Sequence, residues 1–155
     1  MYPLNAGALS EVSTTAQYLP GEIRCTRDRT HGTRFFRYVQ NKDAASIGIG
    51  EGCMQENGLD WAQVVLSGAS TPNARLMGVR QVSALPTLNF GWVLADGHGT
   101  FASDGSTTAD TIQKTVAAGR FSDGTAVTSE NPVWAQETEL PAGAGGLFAG
   151  VIRAL

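Results

Sequence analysis

Asp-Gly occurs three times between residues 96 and 124, at Asp96-Gly97, Asp104-Gly105 and Asp123-Gly124. The pair is favoured where a tight hairpin requires positive φ, so a chain punctuated in this way has room only for short strands between turns. The clearest instance is Asp96-Gly97, set between the β-like runs of residues 89–95 and 98–103. It predicts a hairpin in which Trp92 and Leu94 face one side of the sheet and Val93 the other, because side chains alternate along a strand.

Other runs fit the same scheme. Residues 22–27 and 34–40 are rich in β-branched or aromatic side chains and flank the turn-like Asp28-Arg-Thr-His-Gly-Thr33, the pattern of a second hairpin. Residues 44–54 alternate Ile47 and Ile49 with glycines at 48, 50 and 52, which suits a strand or a wide bend close to other backbone. Residues 61–67 and 75–83 read as strands joined by the turn-rich residues 68–73. Residues 133–135 form a short apolar run, and residues 147–155, after the glycine cluster at 143–146, read as a terminal strand. A helix can be drawn only over residues 109–118, where Ile112 and Val116 stand four apart, and Thr108, Thr111 and Thr115 weigh against it. The echo of Gly99-Thr-Phe-Ala-Ser-Asp-Gly105 in Gly119-Arg-Phe-Ser-Asp-Gly124 is one residue out of register and reads as recurrent turn chemistry, not duplication.

Closely spaced short strands predict one all-β domain over residues 21–155, a small β-barrel or jelly-roll-like sandwich. Residues 1–20 have prolines near both ends, at Pro3 and Pro20, and scattered apolar residues without a period. They are expected to form an extended N-terminal arm that adds little to its own core and orders only against a neighbouring subunit.

A chain of 155 residues is long enough to bury a core without staples. Charged residues make up 16% of it, against a norm of about 25%, so its surface is built largely from small neutral side chains. Such a surface loses little hydration when another protein covers it. The net charge is −3, yet Arg24, Arg27, Arg29, Arg34, Arg37 and Lys42 crowd one segment. That segment is either a solvated strand face or a contact for an acidic partner. Nucleic acid is not an expected partner, because no basic stripe interleaves with aromatics and the whole chain is acidic. A membrane is not expected either, since no stretch approaches about 20 apolar residues. The first residues lack a basic n-region and an apolar h-region, so the chain is expected to be made and kept in the cytoplasm.

A search for chemistry yields no catalytic, cofactor-binding or metal-binding residues to nominate, and the chain is read as a non-enzyme. Cys25 and Cys53 form no CxxC and no cluster with the two histidines, which argues against zinc; they read as thiols more readily than as a disulfide. Cys25 and His31 would be the most economical nucleophile and base, but no orienting third group or oxyanion hole accompanies them. His98, directly after Asp96-Gly97, reads as exposed. Gly48-Ile-Gly-Glu-Gly52 has the wrong spacing for a dinucleotide fingerprint, and the stretch from Asp104 to Asp110 lacks the alternating oxygen ligands of a calcium loop. Glu137 and Glu139 read as a solvated face. Trp61, Trp92 and Trp134 fit core or interface packing better than a sugar platform.

Two paired stretches carry a likeness to a known class: Gly21-Glu-Ile-Arg-Cys25 followed by Phe36-Arg-Tyr-Val-Gln40, and Met77-Gly-Val-Arg-Gln-Val-Ser83 followed by Phe90-Gly-Trp-Val-Leu94. Over residues 20–130 the chain resembles the small head decoration (cement) proteins of tailed bacteriophages. The resemblance implies a β-barrel or jelly-roll-like structural protein on the capsid surface of the virion, partnered by the major capsid protein and by copies of itself as a homo-oligomer, with no catalytic residues to carry over. The alternatives are another phage structural β-domain, from tail or baseplate, and a small hydrolase.

Overall fold

The computed structural model describes residues 3–55, 62–66, 75–105, 112–115, 119–123, 133–135 and 146–154. Among them the protein is all-β, and the one helical element is a short 3-10 segment, Ala6–Ser10. The strands are β1 (Ile23–Asp28), β2 (Gly32–Asn41), β3 (Gly52–Gln55), β4 (Gln63–Leu66), β5 (Arg75–Val79), β6 (Phe90–Ala102), β7 (Ile112–Thr115), β8 (Phe121–Asp123), β9 (Val133–Ala135) and β10 (Leu147–Arg153). They join in one sheet, in the order β1-β2-β4-β3-β5-β6-β10-β9-β7-β8. β2 also pairs with β6, so the pairings run from β2 through β4, β3, β5 and β6 and return to β2. The described strand pairs are antiparallel except β2 with β4.

β2 and β6 hold the centre because both of their faces are apolar. Along β2, Phe36 and Tyr38 alternate with Arg37 and Val39, and all four are buried. Period-2 alternation sends the two sets to opposite faces. Phe36 and Tyr38 join Trp92, Leu94, Phe101, Phe121 and Ile152 in the larger core cluster. Val39 joins Val93, Met77, Cys53 and Val64, with Ile47 and Leu85. That second cluster takes one side chain from each of the five strands in the closed ring of pairings, so it fills the space those strands surround. Burying each such aliphatic or aromatic side chain contributes roughly 1.5–3 kcal/mol.

Most sequence-predicted strands are present. The hairpin of residues 22–27 and 34–40 is β1–β2, with Ile23 opposite Arg37 and Asp28 opposite Gly32. The terminal strand is β10. Residues 44–54 divide into a bend, an isolated bridge of Ile47 to Leu85, and β3. The helix drawn over residues 109–118 is corrected: Ile112–Thr115 is a strand between β8 and β9, where β-branched Ile and Thr suit the pleat. Residues 68–73 lie outside the described residues.

Asp96-Gly97 makes no hairpin, although Trp92 and Leu94 do face away from Val93. β6 runs straight through the pair, and β10 reads it as one unbroken ladder from Arg153 opposite Asp96 to Leu147 opposite Ala102. On the β2 side the register jumps, with Phe35 opposite Asp96 and Phe36 opposite Leu94. Ala95 is therefore the extra residue of a β-bulge. Gly97 has φ of 111°, so the positive φ that Asp-Gly advertises is spent on kinking a long strand. A Cβ on Gly97 would lie 3.0 Å from the Thr33 carbonyl oxygen and 3.1 Å from Arg34 Cγ. Gly97→Val should consequently destabilise the fold by more than about 1 kcal/mol, read as a lowered midpoint in urea at unchanged m-value.

Candidate binding surface

The N-terminal segment is not a free arm. Leu4, Ala8 and Leu9 are buried in the larger core cluster, beside Phe36, Tyr38, Trp92 and Leu94. Backbone bonds pin it: Leu4 N–H donates to the Cys25 carbonyl at 2.7 Å, and Ser13 and Phe90 exchange N–H···O bonds at 3.2 and 2.8 Å. Asn5 caps the 3-10 segment, accepting the Gly7 N–H at 3.2 Å. Its polar residues bond one another, so they cost little: Gln17 Nε2 donates to Ser13 Oγ and Thr15 Oγ1 at 3.3 and 3.0 Å. The expectation of an arm with no place in its own core is corrected. Four apolar anchors suffice to hold a strap whose polar groups are satisfied locally, and period is no guide in an irregular segment.

The fourth anchor is Tyr18. Its ring packs on Tyr38 and on Trp92 with centroids 5.1 Å apart in each case, and the Arg24 guanidinium lies over it at 4.7 Å. Arg24 is also held by Glu22 at 2.6 Å. Tyr18 and Glu11, with Val12, Ser13 and Gln17, line an open cleft of about 470 Å³. Tyr18 Oη donates to Glu11 Oε2 at 3.3 Å. Partial burial, together with that carboxylate, raises the Tyr18 pKa. The cleft thus offers one carboxylate, neutral hydrogen-bonding groups and an aromatic edge, all supplied by the strap.

The basic segment proves to be neither one patch nor one face. Arg24 and Arg34 are neutralised locally by Glu22 and Asp28. The His31 backbone N–H donated to Asp28, with Arg34 alongside, holds that carboxyl below its usual pKa. Arg37 is buried inside the ring, donating to the Met77 carbonyl at 3.3 Å. Arg27 and Arg29 remain exposed at the hairpin end.

The residues weighed as catalytic do not converge. His31 sits in the β1–β2 turn with Nδ1 3.1 Å from Asp28, while Cys25 lies three residues back along β1, roughly 10 Å at strand rise. His98 is exposed on β6. Cys25 and Cys53 are both free thiols. Burial pushes the Cys53 thiol up to about 12. Trp92 is core, Trp61, Glu137 and Glu139 lie outside the described residues, and Trp134 stands on β9. Among the described residues no three His, Cys, Asp or Glu side chains are grouped to hold a metal ion, and no helix is long and apolar enough to cross a membrane.

One buried cation went unforeseen. Arg80 is fully buried and donates to the carbonyls of Ser83 and Trp92, both at 2.6 Å, and to Ser83 Oγ at 2.9 Å. Burial pulls its pKa down to about 10. A lone Arg after an apolar run carries no sequence signal of this role. What the surface does present is apolar: Leu19 is 74% exposed and Leu88 56%, with Leu147, Ile49 and Val82 also exposed. Leu88 is the one described non-glycine residue at positive φ, 63°. No protein-family model matches the chain, and no curated protein matches it in sequence.

Two outcomes follow from this placement. Deleting residues 2–18 should cost about 3 kcal/mol or more through loss of Leu4 and Leu9 burial alone, lowering the melting temperature by several degrees at least. In native protein at neutral pH a thiol reagent should label one cysteine per chain, Cys25, and a second only in denaturant, because the Cys53 thiolate is suppressed and enclosed.

Proposed function

We propose that the chain is a structural virion protein, a decoration or cement protein that binds the outer surface of a tailed-phage capsid and stabilises it. Its partners on this reading are the major capsid protein and further copies of itself, in a virion assembled in the host cytoplasm. We read the closed ring of β2, β4, β3, β5 and β6 as a small barrel, the rigid body that carries the contacts. The observation that supports this most is the combination of exposed leucines with a surface poor in free charge. Preorganised apolar side chains lose little entropy on docking, and neutral surroundings cost little to desolvate. Many shallow contacts repeated over a lattice then add through avidity.

The test is titration of purified chain onto empty capsids. Binding that saturates at a fixed copy number and raises the shell's thermal midpoint is the expected result. No binding to shells, with binding to purified tails or baseplates instead, would transfer the chain to the alternative of a tail or baseplate β-domain.

A further inference from the structure

The strap of residues 3–19 joins β1 through one tight turn. Glu22 N–H donates to the Leu19 carbonyl at 2.9 Å, Pro20 is the second residue of that turn, and Gly21, the third, has φ of 86°. This is a type II turn, with Pro at i+1 and Gly at i+2. Glu22 also accepts the Leu19 N–H, at 3.3 Å. So a two-residue corner separates the domain from a strap that completes its core.

That corner carries the most exposed large apolar side chain among the described residues, Leu19 at 74%. Nothing within the chain accounts for it. The seat the strap fills is built from Tyr38, Trp92, Phe90 and the Cys25 carbonyl, and every copy of the chain has the same seat. A strap from a second copy would make the same contacts. Short hinges are the usual route to such exchange.

We propose that the chain forms a strap-exchanged dimer with a second copy of itself, in which the turn Leu19–Glu22 opens and residues 3–19 of each copy fill the seat of the other. Opening extends the two hinges side by side about a two-fold axis, where the paired Leu19 side chains cover one another. This new contact favours the dimer, since all other strap contacts are common to both forms. Without it the strap's own effective concentration, on the order of millimolar for a short link, would keep the closed monomer dominant at lower protein concentrations.

The proposal deepens the homo-oligomer part of the proposed function and rests on it only for its use on a shell. Its test needs no capsid. Pro3 and Cys25 are bridge partners across the seat, so Pro3→Cys places a thiol next to the native Cys25. Oxidation of the closed monomer gives a bond within one chain, and oxidation of the exchanged dimer gives a bond between chains. Peptide mass analysis of mixed light and isotope-labelled chains separates the two and identifies the cysteines joined.

Oxidised at about 1 mM, near the strap's effective concentration, the Pro3→Cys chain should give dimers linked through Cys25. Their share should fall on dilution before oxidation. Gly21→Val in the same background strains the closed turn but not an extended hinge, so it should move dimer formation to at least roughly tenfold lower concentration. Leu19→Ser should move it the other way. If the Pro3→Cys chain yields only intrachain bonds at every concentration, exchange is overturned, whatever Gly21→Val does to folding. Capsid binding by such a strictly closed chain would leave the decoration reading standing.

Discussion

The rest of the structure depends on one ladder, β2 against β6, in which Phe36 faces Leu94, Arg37 faces Val93 and Tyr38 faces Trp92. Both strands bury both faces, which is uncommon for antiparallel strands, where one face normally meets water. A two-faced ladder demands two covers. One is supplied by curling β3, β4 and β5 round until β4 meets β2 again, which closes the second cluster. The other comes from the chain ends, the strap on one side and β10 on the other, with Ile152 and Leu9 in the same cluster. Core completion by sequence-distant segments is the direct consequence of placing Phe36-Arg-Tyr-Val39 on a central strand.

The cost of this plan is visible at its arginines. A ring of short strands leaves no route to solvent for Arg37 and Arg80, and an unpaired buried cation would be expensive. Arg80 is accommodated because its guanidinium reaches backbone carbonyls that no neighbouring strand uses, at Trp92 and Ser83. The fork geometry of arginine permits this, whereas a lysine ammonium offers a single point of contact. Gln81, next in the chain, performs a similar service outside the ring: its amide accepts the Thr100 N–H at 2.8 Å and donates to the Thr100 carbonyl at 3.0 Å, standing in for a strand partner.

How much of this was legible in the sequence follows from which signals are local. Strand content, the β1–β2 hairpin and the alternation about Val93 are nearest-neighbour properties, and they were readable. Asp96-Gly97 was legible as a site of positive φ but not as a bulge, because whether a kinked strand turns back or continues depends on β10, some fifty residues later in the sequence. The strap was misread for the opposite reason. Ser13, Thr15 and Gln17 look like solvated residues in a list, and only the fold shows that they bond one another above Tyr38. The absence of a site from the sequence reading has a similar cause: the cleft beside Tyr18 is made by the strap's path, and no motif encodes a path.

The distribution of charge draws these threads together. With 16% of residues charged, the chain has few ions to spend, and several are consumed internally: Arg37 and Arg80 inside, Arg24 on Glu22, Arg34 on Asp28. What remains for solvent is sparse, and exposed leucines stand within it. Free charge keeps monomeric proteins apart, through self-repulsion and through the cost of stripping hydrated ions at any contact. A protein that withdraws its charges into its own framework lowers that barrier. The same economy that lets the ring close around two arginines therefore leaves an outer surface disposed to be covered, and it sets the contact preferences of the chain by shape and apolar fit more than by electrostatic steering.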